Sequence, residues 1–320
     1  MAIRPRVSVI IPAHNEAAHL PALLDSLASL KFPKDQMEVI VVDHESTDDT
    51  GRIAEHAGAT VVRKHGGTIS SVRNAGAKAA GGEILAFLDA DCTVDEEWLA
   101  HAMPHFEDVA VGAVGSYHLV PLQPPTWVRR ILQKQIQARP CIAEATWLPS
   151  GNMFVRQSAF WECGGFDEAL LTCEDVDLCY RLARQYKIVA DSRIRCWHHG
   201  EPQTLWEVFR KELWRGRDNF AGAFRHGLRP SELPSLVVPI YVVCAFLGVL
   251  TSPLVWAVDH YAAWWWLAGS TAALGGPILA LSALLSARAE SARYVFHFAA
   301  YFLVYFLARG LGPIHAWRNI

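Results

Sequence analysis

Two carboxylates, Asp89 and Asp91, directly follow the apolar run 84–88. The run is bounded by Gly81 and Gly82, and it predicts a short buried strand. Because side chains i and i+2 share one face of an extended chain, both carboxylates can point to one place. Ligands bind at the carboxyl ends of strands in α/β sheets, and paired oxygen ligands suit a hard divalent cation that carries a diphosphate. An ordinary polar turn after a strand is the alternative.

A second acidic group lies downstream, where Glu174, Asp175 and Asp177 follow the glycine-rich turn 164–168. The leucines beyond it have helical spacing, so the acids would occupy the first turn of a helix. The helix dipole favours acids there, which is a purely structural explanation. The functional alternative is that one carboxylate is a general base beside a metal–diphosphate site. Asp177 can pair with Arg181 four residues later, so we interpret that pair as structural support.

Strands and helices are predicted to alternate through the first 90 residues. The strands are 7–11, 39–42, 60–62 and 84–88, and the helices are 15–30, a segment ending at 57 and capped by 46–50, and 70–80. This alternation predicts an α/β, Rossmann-like, mostly parallel sheet. Right-handed crossovers place the strand ends along one edge. No dinucleotide fingerprint or P-loop follows these strands, so those two classes have no support.

Composition limits the remaining classes. The chain has 320 residues and a formal net charge of −3, which gives no electrostatic support for a nucleic-acid partner. Its seven cysteines show neither Cys-x-x-Cys nor zinc-finger spacing, so we interpret them as reduced, small apolar residues. Arg4-Pro5-Arg6 leads into a short strand-like run, and no signal peptide is expected.

Hydropathy rises sharply near residue 233. The runs 235–258 and 260–287 carry no charged side chain, and as helices each exceeds the ~20 residues needed to cross a bilayer core. A third run, 294–308, is shorter and would span if Arg309 reaches the interface. A very apolar soluble helical region is the alternative. We therefore expect two to three transmembrane helices.

Basic residues predict the orientation. They cluster before the first span and recur between the second and third spans, so both places are expected in the cytoplasm. The predicted parts are a cytoplasmic domain over 1–203, an amphipathic basic segment over 204–232 and a transmembrane region over 233–320. The location would be the inner membrane, in a multi-pass arrangement. An aromatic stripe in the middle segment suits a helix on anionic membrane lipids or, equally, one packed on its own domain.

Six blocks resemble, in order, the signature blocks of the family 2 glycosyltransferases, which are inverting enzymes with a GT-A fold. They are 7–16, 41–48, 73–76, 89–91, 164–167 and 174–178. The resemblance covers about residues 6–200, and the order of the six blocks is highly specific. It implies a GT-A catalytic domain, which here would be followed by the C-terminal transmembrane helices.

The resemblance also implies roles for residues that bind substrates. Donor contacts would come from Pro12, Ala13, Asn15, Glu16 and Asp43, the last at the nucleobase edge. Arg73 would lie near the diphosphate, and Gly151 and Asn152 would line the acceptor side. One departure concerns 43–46, where the family often has Asp-Asp-Gly-Ser and this chain has Asp-His-Glu-Ser. The first aspartate is kept, so the nucleobase contact survives.

The chemistry implied by the resemblance needs a metal and a base. Asp91 would ligate Mg²⁺ or Mn²⁺, Asp89 would face both metal and ribose, and His198 is a candidate third ligand, although a structural histidine is the commoner case. Asp175, with Glu174 beside it, would be the catalytic base.

The resemblance, together with the apolar spans, thus implies a metal-dependent inverting transfer from a nucleotide sugar, with UDP favoured, to a membrane-associated acceptor. That acceptor would be a polyprenyl phosphate or a lipid-linked glycan, as in cell-envelope polysaccharide synthesis. The alternatives are a nucleotidyltransferase and a non-catalytic membrane scaffold.

Overall fold

The computed structural model describes residues 6–121, 123, 126–137, 139–217, 233–288 and 292–317. The chain divides into two compact units. The first comprises residues 1–121 and 139–201, and the second comprises residues 122–138 and 202–320.

The secondary structure follows the chain in this order. The strands are β1 Val7–Ala13, β2 Met37–His44, β3 Thr60–Lys64, β4 Ile84–Leu88, β5 Cys92–Val94, β6 Val111–Gly115, β7 Ile142–Glu144, β8 Asn152–Arg156, β9 Lys187–Asp191 and β10 Cys196–His198. The helices are α1 Leu20–Ala28, α2 Thr50–His56, α3 Ile69–Ala79, α4 Trp98–Ala102, α5 Trp127–Gln137, α6 Gln157–Glu162, α7 Glu174–Leu182, α8 Leu205–Arg215, α9 Leu233–Leu250, α10 Ser252–Trp256, α11 His260–Arg288 and α12 Val295–Trp317.

The first unit is built on an eight-stranded sheet with the order β3-β2-β1-β4-β8-β6-β9-β7. Strands β3, β2, β1 and β4 are parallel, and β8 then runs antiparallel to β4 and β6. Every residue of β1 and β4 is buried, as expected of apolar strands covered on both faces. The predicted α/β, mostly parallel sheet is confirmed. A separate two-stranded ribbon pairs β5 with β10.

Helix α1 begins later than the sequence predicts, at Leu20 rather than Asn15. Asn15 has a φ of 56°, in the left-handed region, and so cannot open a right-handed helix. Its backbone N–H donates to Ser46 Oγ at 3.0 Å, and its side-chain oxygen accepts from Thr47 N at 2.8 Å. The segment predicted as the first turns of a helix therefore forms a loop bound to the loop after β2.

The second unit is helical, and it includes α5, which lies within the predicted 1–203 domain. Val128 and Ile131 of α5 are fully buried in a cluster with Val208 of α8 and Phe298 of α12. The ring of Trp127 also lies 5.3 Å from that of His297. An apolar face that packs against the C-terminal helices places α5 with them, and the first unit ends at residue 201.

Among the described residues, three helical segments are long and apolar enough to cross a membrane: Leu233–Trp256, His260–Ala287 and Val295–Ile314. In the third, Arg309 Nε donates to Glu212 Oε2 of α8 at 2.7 Å. Arg215 donates to the other oxygen of Glu212 at 2.9 Å. The charge of Arg309 is thus compensated by a buried carboxylate, a partner that the sequence did not indicate.

Helix α8 turns Val208 and Glu212 inward and leaves Trp206 65% exposed. The rings of Trp206 and Phe209 are stacked 5.5 Å apart. These two belong to the predicted aromatic stripe, whose remaining phenylalanines, Phe220 and Phe224, lie outside the described residues.

Candidate active site

Arg73 joins the two acidic groups of the first unit. Its side chain, on α3, is 5% exposed. Nη1 donates to Glu174 Oε1 at 2.7 Å, and Nη2 donates to Asp89 Oδ1 at 2.9 Å. Burial acts to raise the pKa of Asp89, but Arg73 and two nearby histidines outweigh it and hold that pKa below its usual range. The end of β4 and the start of α7 are therefore held at a fixed separation by one guanidinium.

The neighbouring Asn74 fixes the turn that precedes α7. Its Nδ2 donates to the carbonyl oxygen of Phe166 at 2.9 Å, and its Oδ1 accepts from the N–H of Phe166 at 3.0 Å. Gly165 has a φ of 71°, and a Cβ there would lie 3.0 Å from Asn74 Oδ1. Glycine is needed because the turn is left-handed and because the amide approaches so closely. Consecutive residues of α3 thus position the two segments that carry the acids.

Asp91 lies beside the β5–β10 ribbon, where His198 meets it. His198 Nε2 is 3.4 Å from Asp91 Oδ1, and His198 Nδ1 is 3.5 Å from Glu201 Oε1. His199 instead points its Nε2 at Thr93 Oγ1, at 3.0 Å. The structure therefore brings the side chain of His198, rather than that of His199, to the Asp91 carboxylate, while the His199 N–H donates to the Asp91 carbonyl oxygen at 2.8 Å.

These residues fit a divalent cation. A Cβ on Gly200 would lie 2.3 Å from Asp91 Oδ2, and one on Gly151 would lie 2.2 Å from Asp89 Oδ2. Any larger residue at either position would fill the space in front of a carboxylate. Carboxylate oxygens with one imidazole nitrogen suit Mg²⁺ or Mn²⁺. Asp91 and His198 could hold such an ion, and Asp89 could supply a further oxygen ligand.

The residues predicted to bind the donor lie at one edge of the sheet. Ala13, at the end of β1, is in register with Asp43 near the end of β2. Asp43 Oδ1 accepts a hydrogen bond from Ser46 N at 3.0 Å. Gly51 is required opposite it, because a Cβ there would lie 2.9 Å from Asp43 Oδ2.

The loop after β1 carries the other predicted donor residues. Pro12 is in register with Val42, one step before the Ala13–Asp43 pair. Glu16 donates its backbone N–H to Thr50 Oγ1 at 2.8 Å, and its carboxylate lies 2.9 Å from His19 Nδ1. The loops after β1 and β2 therefore form one hydrogen-bonded rim.

Asp175 is half-buried in the first turn of α7. Burial and the adjacent Glu174 raise its pKa to about 6, against the opposing effects of Arg73 and of the N–H groups of Val176 and Ser150. Its Oδ1 accepts from Val176 N at 2.8 Å. A carboxylate with such a pKa is ionised at neutral pH and is a stronger base than an ordinary aspartate.

Asn152 corrects one prediction, because its side chain is fully buried rather than directed at a substrate. Its Oδ1 accepts from Trp98 Nε1 at 2.8 Å, and its Nδ2 donates to Ser116 Oγ at 2.8 Å. Gly151 does lie in the site, against Asp89. Asn152 therefore holds β8 in place, and its side chain does not line the acceptor side.

Sequence reasoning missed His118 and Glu201. The ring of His118 lies 5.1 Å from that of His198, and His118 Nε2 is buried with no hydrogen-bond partner among the described residues. Glu201 follows His198 by three residues, a spacing that could have indicated it. His118 follows β6 without any local pattern that marks it.

Comparison with known proteins identifies the class of this domain. The profile of the family described as Glycosyl transferase family 2 matches residues 8–164. Glycosyltransferase AglE of Haloferax volcanii is 31% identical over 180 residues, which cover 54% of this chain and 59% of that protein. The beta-monoglucosyldiacylglycerol synthase of Nostoc sp. is 31% identical over 193 residues, which cover 56% of this chain and 41% of that protein. The chain therefore spans about half the length of these relatives.

Among solved structures, the mannosyltransferase PcManGT from Pyrobaculum calidifontis, in complex with GDP-Man and Mn²⁺, has a TM-score of 0.63 at 22% identity. The match covers 99% of this chain and 88% of that one. It supports the GT-A class of fold. The chain carries a glycosyl transferase family 2 domain, and the family predicted from the ordered blocks is confirmed.

Proposed function

We propose that the chain is a metal-dependent, inverting glycosyltransferase that moves a sugar from a nucleotide sugar to a membrane-associated acceptor. The observation that carries this proposal is the pair of hydrogen bonds from Arg73 to Asp89 and to Glu174. Asp89 belongs to the residues that fit a divalent cation, and Glu174 is adjacent to Asp175. Cation ligands and a carboxylate of raised pKa therefore flank one buried guanidinium. A displacement requires both a stabilised leaving group and a proton acceptor.

Each side chain has a defined task in that reaction. Asp91 and His198 would hold Mg²⁺ or Mn²⁺, and Asp89 would face the ion and the ribose. When bound, the ion neutralises charge on the departing nucleoside diphosphate. Where the acceptor is a hydroxyl, Asp175 takes its proton as the oxygen attacks the anomeric carbon from the face opposite the diphosphate, whereas a phosphate acceptor attacks already ionised. One displacement inverts the configuration, and no nucleophile on the enzyme is needed.

Replacing Asp91 with asparagine tests metal dependence. We expect the purified full chain to hydrolyse or transfer from a nucleotide sugar only with Mg²⁺ or Mn²⁺, and D91N to lose at least ~100-fold because a neutral amide binds such ions weakly. Turnover would be measured across a donor panel, with the exposed-site variant Glu96→Gln as control. Metal-independent turnover would contradict the proposal, and no turnover with any donor would favour a scaffold.

The donor is proposed to carry uridine, because Asp43 at the rim of the sheet can accept an N–H from the base edge. UDP is expected to raise the unfolding temperature of the full chain more than GDP does, in the presence of Mn²⁺. The difference should disappear in Asp43→Asn. A larger shift of the unfolding temperature with GDP than with UDP would overturn this preference. The solved mannosyltransferase holds a guanosine nucleotide sugar, GDP-Man.

The acceptor is proposed to be lipid-linked, such as a polyprenyl phosphate or a lipid-linked glycan. Support comes from the three apolar helices and from the exposed Trp206, Trp264 and Trp265, which suit a membrane interface. The proposed location is the inner membrane, in a multi-pass arrangement with residues 1–203 in the cytoplasm.

Incubation of membranes with donor is expected to yield a glycosylated lipid that mass spectrometry detects in the organic extract. Membranes that contain D91N serve as the control and should lack it. A glycosylated product confined to the aqueous fraction would contradict a lipid acceptor.

A further inference from the structure

Three side chains beside the proposed Asp91 site are not used by the mechanism. They are Cys92 on β5, Cys196 on β10 and His118 in the segment after β6. One ligand atom from each lies within 4.8 Å of the others. Both cysteines are free thiols and are at most 1% exposed.

Backbone pairing explains why the three meet. In the ribbon, Cys92 is in register with His198, so Cys92, Cys196 and His198 share one face. Leu119 extends the ribbon on the other side of β10, because its N–H donates to Cys196 O at 2.7 Å and its carbonyl accepts from His198 N at 3.0 Å. The adjacent His118 is thereby held against the two thiols. The cluster is built by regular hydrogen bonding rather than by a chance contact of mobile side chains.

We propose that Cys92, Cys196 and His118 form a zinc site, distinct from the hard-cation site at Asp91. Two sulfurs and one imidazole are a ligand set that Zn²⁺ uses in proteins, with a fourth position left for water. In a tetrahedral site with bonds of about 2.0–2.3 Å, ligand atoms lie roughly 3.5–3.8 Å apart. Side-chain movements of about an ångström therefore suffice to close the cluster on an ion.

The ligand atoms distinguish the proposed zinc site from the neighbouring cation site at Asp91. Thiolates select zinc, whereas Mg²⁺ prefers carboxylate oxygens, so Mg²⁺ does not compete for the cysteines. Binding replaces the two S–H bonds with two Zn–S bonds, a neutral His118 nitrogen donates its lone pair, and the protons of both thiols and of any protonated His118 pass to solvent.

One competing geometry has to be distinguished. Asp91, Cys92 and His198 also place ligand atoms within 4.8 Å of one another. A zinc ion there would use one thiolate and would depend on Asp91. The proposed site uses two thiolates and depends on Cys196 and His118.

Cobalt is the probe, because Co²⁺ enters zinc sites and cysteine ligation adds a thiolate-to-metal absorption band in the near ultraviolet. The full chain in detergent is expected to give that band with about one Co²⁺ per chain, and Zn²⁺ should displace it. Cys196→Ser and His118→Gln should each lose the band. Asp91→Asn should retain it, as should Cys179→Ser, a matched control at a buried thiol outside the cluster.

Two results would overturn the proposal. One is wild-type protein that binds cobalt without a thiolate band. The other is a band that Asp91→Asn removes and Cys196→Ser leaves intact, which would assign the ion to the competing group. Retention of the wild-type unfolding temperature without metal shows that each variant is folded. The test needs no sugar transfer, so it stands apart from the proposed function.

Discussion

Replacing Asp175 with asparagine is expected to lower the rate of sugar transfer by about 10²–10⁴-fold, the usual contribution of a general base. An amide keeps the size of the side chain but cannot take the acceptor's proton. Donor affinity should change little, because the nucleotide is proposed to bind at the edge formed by β1 and β2. Single-turnover rates at saturating donor, compared with the donor dissociation constant, would separate the two effects.

Asp177→Asn is the matched control for that variant. Asp177 lies two residues after Asp175 on α7 and pairs with Arg181 of the same helix. We expect D177N to lower the stability of the chain, because a buried ion pair is broken, and to leave the rate of transfer near the wild-type value. A comparable loss of rate in both variants would mean that Asp175 acts through the stability of α7.

The rate should also depend on pH in a defined direction. The pKa of Asp175 is raised to about 6 by burial and by Glu174. A protonated carboxyl cannot accept a proton, so the rate is expected to fall as pH drops through about 6. The charge on Arg73, which opposes the shift, is constant over this pH range. In D175N, the fall of the transfer rate as pH drops through about 6 should be absent. If D175N loses less than tenfold, the acceptor arrives already ionised, as a phosphate would, and Asp175 is not its base.

Local patterns predicted the elements of this fold because each buried strand is itself an apolar run. Strand β4 and helix α7 begin and end close to where the sequence indicates. The start of α1 was missed because Asn15 is hydrogen-bonded to the Ser46 hydroxyl and the Thr47 backbone N–H, about 30 residues away. No periodicity within 15–30 carries that information.

Non-local pairing also explains what was missed in the site. The resemblance identified where Asn152 and Arg73 occur, but a motif does not say where a side chain points. Cys92 and Cys196 are about a hundred residues apart, so their spacing resembles no metal motif, and only the register of β5 with β10 brings them together. The same holds for α5, whose packing on α12 cannot be read from its own eleven residues.

Arg73→Met is expected to lower the free energy of unfolding by about 3–5 kcal/mol, the usual cost of removing one partner from a buried ionic group. Glu174, 11% exposed, and Asp89, 28% exposed, would be left as two carboxylates without their cation. Glu174→Gln in the R73M background should recover part of the loss, since one of the uncompensated charges is removed. Denaturant unfolding of the full chain in detergent measures the change, with Arg52→Met at an exposed pair as the control.

The same variant decides between two roles for Arg73. If the guanidinium serves to position Asp89 and Glu174, R73M destabilises the chain in the absence of any nucleotide, and Arg73→Lys does so as well, because one ammonium cannot reproduce the bridge to both carboxylates. If Arg73 instead contacts the diphosphate, as the family resemblance implies, R73M weakens UDP binding and leaves the nucleotide-free protein as stable as wild type. A guanidinium that is 5% exposed and donates to two carboxylates favours the first result.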